Sequence, residues 1–129
     1  MAEHNELGKI GENIACSFLM KHGFTIVERN YRTGRGELDI IAKKDSKLRI
    51  VEVKSVKVRS FSDTQALPVK PEDNITWEKW KNLVASSHIY LKNKAVSHET
   101  HWQIDLVCVH IDTEMRQGKA VLIENIHKE

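Results

Sequence analysis

Residues 36 to 55 read G-E-L-D-I-I-A-K-K-D-S-K-L-R-I-V-E-V-K-S, and this stretch decides the fold. Apolar and polar positions alternate on both sides of Lys44-Asp45-Ser46-Lys47, which predicts two antiparallel strands joined by a tight polar turn. On the first strand Leu38, Ile40 and Ala42 alternate with Glu37, Asp39 and Ile41; on the second Arg49, Val51 and Val53 alternate with Leu48, Ile50, Glu52 and Lys54. A hairpin centred on Asp45-Ser46, whether its loop counts two residues or four, sets Asp39 opposite Glu52 and Glu37 opposite Lys54, all on one face.

Carboxylates opposite each other on a sheet lie about 5 Å apart at Cβ. At an effective dielectric of about 20 they repel by about 3 kcal/mol. A fold keeps such a pair only with a cation nearby. Lys54 supplies part of that charge, and oxygen ligands on adjacent strands also suit a hard divalent ion such as Mg²⁺. A plain solvated hairpin face is the simpler alternative, but Ile41, Leu48 and Ile50 share the face and imply that it is partly covered.

A carboxylate followed by Glu-x-Lys on the next strand resembles the pattern of the PD-(D/E)XK nuclease superfamily, here G-E-L-D at 36–39 and V-E-V-K at 51–54. The fuller string N-Y-R-T-G-R-G-E-L-D-I-I-A followed by V-E-V-K-S is similar to the YraN-like family within it, whose relatives include archaeal Holliday-junction resolvases. The resemblance covers nearly the whole chain. It implies a single α/β domain over residues 1–129 with a restriction endonuclease-like core, a mixed central sheet flanked by helices in the order αβββαββ. It also implies Mg²⁺- or Mn²⁺-dependent hydrolysis of DNA phosphodiesters, on branched or otherwise structured DNA. Asp39 and Glu52 would bind the metal with the Val53 carbonyl as a further ligand, Lys54 would orient or deprotonate the attacking water, and Glu12 and Glu37 would be additional acids.

Composition agrees with one globular domain: 129 residues, 40% hydrophobic and 29% charged. No apolar run approaches the length of a membrane span, and the polar first residues do not look like a signal peptide, so a cytoplasmic location is expected. Cys16 and Cys108, each in an apolar segment and without a C-x-x-C pairing, are expected to be reduced and buried. Net charge is only +2, yet Arg29 to Arg59 carries ten Lys or Arg against Glu37, Asp39, Asp45 and Glu52. That basic segment surrounds the acidic patch, as holding a polyanion against a metal site requires. DNA is thus the expected partner, with a homodimer left open and no membrane association.

Along the chain, apolar positions 7, 10, 14, 15, 18 and 19 predict a first helix ending at Gly23. Glu12 lies at the edge of its stripe, and G-K-I-G-E-N-I-A is similar to the family's G-x-x-G-E-x-x-A helix. Phe24 to Tyr31 reads as the first strand, placing Arg29, Arg32 and Arg35 beside the carboxylates, where guanidinium forks can grip phosphate. Ser55 to Asn74 has neither period and reads as a long loop carrying Lys57 and Arg59 among further nucleic-acid-binding candidates. Asp73, Asn74 and Thr76 are cap candidates for a second helix with the stripe Trp77, Trp80, Leu83, Val84 and Leu91, the tryptophans being expected core anchors. Lys79 on this helix matches the family's usual lysine and is expected to touch DNA; Trp80 stands where the family commonly has Gln. His98 and His101 lack a third ligand for zinc. Trp102 to Asp112 and Lys119 to Ile126 predict two closing strands, with Met115 to Gly118 as their turn and Asp105 as a structural acid.

With the resemblance, the first expectation is a Mg²⁺-dependent endodeoxyribonuclease. The competing class is a nucleic-acid-binding or assembly module that keeps the fold without turnover. A glycosidase built on the two opposed carboxylates leaves Lys54 and the basic surround without a role.

Overall fold

A computed structural model of the chain describes residues 2–59 and 75–128, the side chains of the first few residues excepted. Among them, α1 (Ala2–Lys21) leads into β1 (Thr25–Thr33), β2 (Gly36–Lys44) and β3 (Lys47–Val58); α2 (Trp77–Asn93) then precedes β4 (Trp102–Asp112) and β5 (Gln117–Ile123). The strands form one mixed five-stranded sheet in the order β1-β2-β3-β4-β5, antiparallel except for β3 beside β4. A parallel neighbour requires a crossover, and the chain between Val58 and Trp102, which contains α2, provides it.

The central hairpin has the predicted register: Ile40 pairs with Val51, Ile41 with Ile50 and Lys44 with Lys47. Asp45 and Ser46 both have positive φ, 54° and 61°, so this is the two-residue turn whose twist matches that of the strands. β3 runs further than the periodicity suggests. Ser55 to Val58, assigned above to a loop, continue the strand because β4 is long enough to pair with them, Ser55 against Val109 through Val58 against Asp112. The rest of that expected loop, with the cap candidates Asp73 and Asn74, lies outside the described residues; Thr76 caps α2, its hydroxyl accepting the Lys79 N–H at 3.1 Å.

Each face of the sheet is covered by one helix. Ala15, Cys16 and Leu19 of α1 pack on Ile40, Ala42, Val51, Val107 and Val109; Leu83 and Tyr90 of α2 pack on Ile41, Leu48, Ile50, Leu106 and Cys108. Coverage on both sides explains why β4 is buried almost end to end. Trp80, Val84 and Leu91 join the α2-side core, but Trp77 is 48% exposed, contrary to expectation. It is the first residue of α2 and has Lys128 over its ring. Both cysteines are free and buried, as expected. Asp105 is fully buried and structural: it accepts from Arg49, from Gln103 and from the Asn125 N–H, closing the sheet end where β5 returns.

Candidate metal and nucleic-acid site

The hairpin is regular from its turn to the Ile40–Val51 pair and then forks. Beyond that point β2 keeps its pairing with β1, Leu38 to Tyr31 and Glu37 to Arg32, while β3 keeps its pairing with β4, Glu52 to Leu106 and Lys54 to Cys108. The Glu37–Lys54 pairing expected from the hairpin is therefore not made. Asp39 sits in the fork, where its Oδ2 accepts the Val53 N–H at 2.9 Å and so holds the parted strands together by a side chain instead of a ladder bond.

The alternation of β2 breaks at the same place. Leu38 belongs with Ile41 to the α2-side core, whereas Ile40 and Ala42 face α1, so Leu38 is not on the side read from the sequence. Opposite the break, between the Arg29–Ile40 and Tyr31–Leu38 pairs, lies Asn30 with φ 53°. Asn is among the few residues that enter this region readily. The conformation lets Asn30 Nδ2 donate to Glu12 Oε1 and to Glu37 Oε1, both at 2.9 Å. Nothing in periodicity marks Asn30 as a site residue; its only signal is its place in the N-Y-R-T-G-R-G-E-L-D string.

Glu12 arrives from α1 because Gly11 allows the helix to lie against β3: a Cβ at Gly11 would collide with the Ser55 hydroxyl and stand 2.8 Å from Ser55 Cβ. As a result Glu12, Glu37 and Asp39 bring carboxylate oxygens within 4.8 Å of one another. The acids expected to be secondary are thus the ones grouped with Asp39. Burial raises the Glu12 pKa, with the Asp39 and Glu37 charges adding to the rise, while the Asn30 hydrogen bond and Arg29, 3.6 Å away, oppose it.

Glu52 adjoins Asp39 from the α2 side and is only 5% exposed. Its pKa stands well above the usual carboxylate range, first because of burial and then because of Asp39, with Lys79 opposing. Lys79 Nζ lies 3.7 Å from Glu52 Oε2. A cleft of about 410 Å³ opens over this group, lined by Glu37, Asp39, Glu52, Lys79, Asn82 and the β1–β2 turn at Arg35. That turn is tied to α2: Arg35 Nε and Nη2 donate to Asn82 Oδ1 at 3.2 and 3.1 Å, and Thr33 and Ser86 share a hydroxyl hydrogen bond of 2.7 Å. Asn82 is a cleft residue that sequence reading missed.

Lys54 is exposed and lines a second cavity with Glu52 and Ser55. Arg32, exposed, reaches Glu37 at 3.4 Å, while Lys57 and Arg59 are exposed at the far end of β3. Trp80 packs into the core and does not line the cleft. His98 and His101 are absent from the group of clustered ligands found among the described residues.

Fold and site together define a mixed α/β protein whose forked sheet gathers four carboxylates under a basic rim. The chain belongs to the uncharacterised protein family UPF0102, the YraN-like family, whose profile matches residues 11–109. It is similar to a UPF0102 protein of Bacteroides thetaiotaomicron, 45% identical over 92 residues, 71% of this chain and 70% of the relative. A UPF0102 protein of Flavobacterium johnsoniae is 32% identical over 128 residues, 98% of this chain and 94% of the relative, and one of Flavobacterium psychrophilum is 48% identical over 104 residues, covering 81% and 82%. The matched span, Gly11 to Val109, includes Glu12, Glu37, Asp39 and Glu52.

Proposed function

We propose that the chain is a divalent-metal-dependent DNA endonuclease with a restriction endonuclease-like core, acting on branched or structured DNA. The observation that carries this reading is the convergence of Glu12, Glu37, Asp39 and Glu52, from three elements, at one fork of the sheet. The donor set is all oxygen, rigidly carried and anionic, which suits Mg²⁺ or Mn²⁺ and not a soft metal. Burial of Glu52 beside Asp39 supports the same reading, since an uncompensated pair of adjacent buried carboxylates is costly.

Asp39 and Glu52 would hold the ion with the Val53 carbonyl, Glu12 and Glu37 extending the site. A bound ion supplies Lewis acidity and neutralises charge on the phosphate. Asp39 is preoriented by the Val53 N–H, and Asn30 fixes Glu12 against Glu37. Lys54, beside Glu52 along β3, offers an ammonium to the attacking water and to developing charge on the phosphate. Arg32, Arg35, Lys57, Arg59 and Lys79 provide cations for the DNA backbone on both sides of the acids.

One observation favours a non-catalytic nucleic-acid-binding or assembly module instead: Trp80 is packed in the core and offers the cleft no polar group. Incubating the protein with duplex, flap, splayed and four-way DNA in Mg²⁺ or Mn²⁺ separates the two. Metal-dependent cleavage that drops by about a hundredfold or more in Lys54→Ala, with metal and DNA binding retained, is expected for the nuclease. Equal cutting by both, in a preparation shown free of contaminating nuclease, removes Lys54 from the chemistry; no cutting by either leaves the binding module.

A further inference from the structure

Lys79 stands between two cavities. The cleft described above lies on one side of Glu52; on the other is a cavity of about 310 Å³ reaching Lys54, Ser55 and Leu106. Glu52, Thr76 and Lys79 line both, so these side chains form the shared wall. The Lys79 side chain is 58% exposed while its partner Glu52 is 6% exposed: the ammonium is laid over a buried carboxylate from a stem that is otherwise in solvent. Its 3.7 Å separation exceeds the roughly 2.7–2.9 Å of a charge-assisted hydrogen bond, so the contact is one of charge without a directional bond. The backbone beneath is fixed, because the Lys79 N–H is the one that caps on Thr76.

We propose that Lys79 is a phosphate ligand held in reserve by Glu52 and released when the carboxylates take a divalent cation. The inference rests on the reading of the acids as a metal site. A divalent ion held by Asp39 and Glu52 would neutralise the carboxylate that the ammonium now faces, and Glu52 would have no further need of Lys79. With its backbone capped, the lysine moves by rotating its own stem. Lifting it removes its share of the wall and widens the passage from Arg35 past Glu52 to Ser55, with the released ammonium at its edge. A phosphodiester in that groove meets the ion and Lys79 together. Metal and DNA therefore bind cooperatively, and by linkage each must strengthen the other by the same factor.

The test uses the full chain with Mn²⁺, followed by calorimetry, and a DNA duplex followed by fluorescence anisotropy with Ca²⁺ or with a chelator. Wild type is expected to bind DNA about fivefold or more tightly with Ca²⁺ than without it. In Lys79→Met the DNA-free protein should bind Mn²⁺ more tightly than wild type, because a competing cation is gone, and the metal-dependent gain in DNA affinity should shrink to what the ion alone supplies. Lys79→Gln should behave like Lys79→Met. Mn²⁺ affinity that is unchanged or weaker in both variants, or a gain that survives in full, overturns the proposal. If wild type binds no Mn²⁺, the metal-site reading fails and takes this one with it. Mn²⁺ binding that is abolished by Asp39→Asn yet indifferent to Lys79 sinks the Lys79 proposal alone.

Discussion

At the scale of single residues, the cost of gathering the acids falls on Asp39 and Glu52. Asp39→Asn removes one charge of the pair while keeping an acceptor for the Val53 N–H, so Mn²⁺ binding should be lost in a calorimetric titration while the metal-free melting temperature stays level or rises. Binding unchanged in that variant removes the central claim. Glu52 gives a second expectation, in pH. Its folded-state pKa is raised, so the folded chain holds the proton more tightly than the unfolded chain; the resulting stability is present below the ordinary carboxylate range and is lost as pH rises through the raised value. Buried His110, whose pKa is lowered by desolvation, contributes in the opposite sense, losing stability as pH falls. Thermal melts of wild type and Glu52→Gln without metal, from about pH 4.5 to 8, isolate the first term: the wild type should lose stability relative to the variant as pH rises. A constant difference refutes the assignment. The sequence marks Asp39, Glu52 and Lys54 because charges in an alternating hairpin stand out. It is silent on Asn30 and Asn82, whose roles arise from a positive φ and from α2 docking on a turn 47 residues away.

Elements carry the legible part of the fold and also its chief misreading. The turn at Asp45-Ser46, the register up to Ile40–Val51 and the two helical stripes, apart from exposed Ile10 and Trp77, follow from local periodicity, which a strand or helix must obey to bury one face. The fork does not follow, because it reflects a choice among partners: β3 continues on β4 and β2 on β1, and no local pattern says where the two hairpin strands part. Two substitutions probe this level. Ser46→Gly suits a position with φ 61° and should stabilise the hairpin by about 0.5 kcal/mol, read as a raised denaturant midpoint with the same slope. Gly11→Ala pushes α1 away from Ser55 and should cost about 1–3 kcal/mol by the usual penalty of overpacking. Because Glu12 follows Gly11 directly, the same variant should weaken Mn²⁺ binding, and Ser55→Gly should restore part of both. Gly11→Ala with unaltered stability would mean that the close approach of α1 to β3 does not position Glu12.

For the whole molecule, the proposed binding of a polyanion has to be reconciled with a net charge of only +2. The answer lies in placement. Of the ten cations from Arg29 to Arg59, Lys43, Lys44, Lys47 and Arg49 lie toward the hairpin turn, whereas Arg29, Arg32, Arg35, Lys54, Lys57 and Arg59 lie on or directly beside the parts of β1, β2 and β3 away from it, toward the fork. Asp105 and Glu124 are meanwhile spent on Arg49 at the opposite end of β3, so they do not dilute this field. If Arg32, Arg35, Lys57 and Arg59 each displace a condensed counterion from duplex DNA, the logarithm of affinity should fall with the logarithm of salt at a slope of about −4, roughly a 250-fold loss between about 50 and 200 mM. Arg32→Ala combined with Arg35→Ala should lower the affinity and reduce the slope by about two, whereas Lys92→Ala, near the far end of α2, should leave the slope unchanged. The Arg35 change also frees Asn82 and loosens the turn, so Asn82→Ala serves as the control: it should lower affinity without altering the slope, since it removes an anchor and no charge. A slope near zero in wild type, or the absence of binding at low salt, would assign the basic rim to a protein partner and not to nucleic acid.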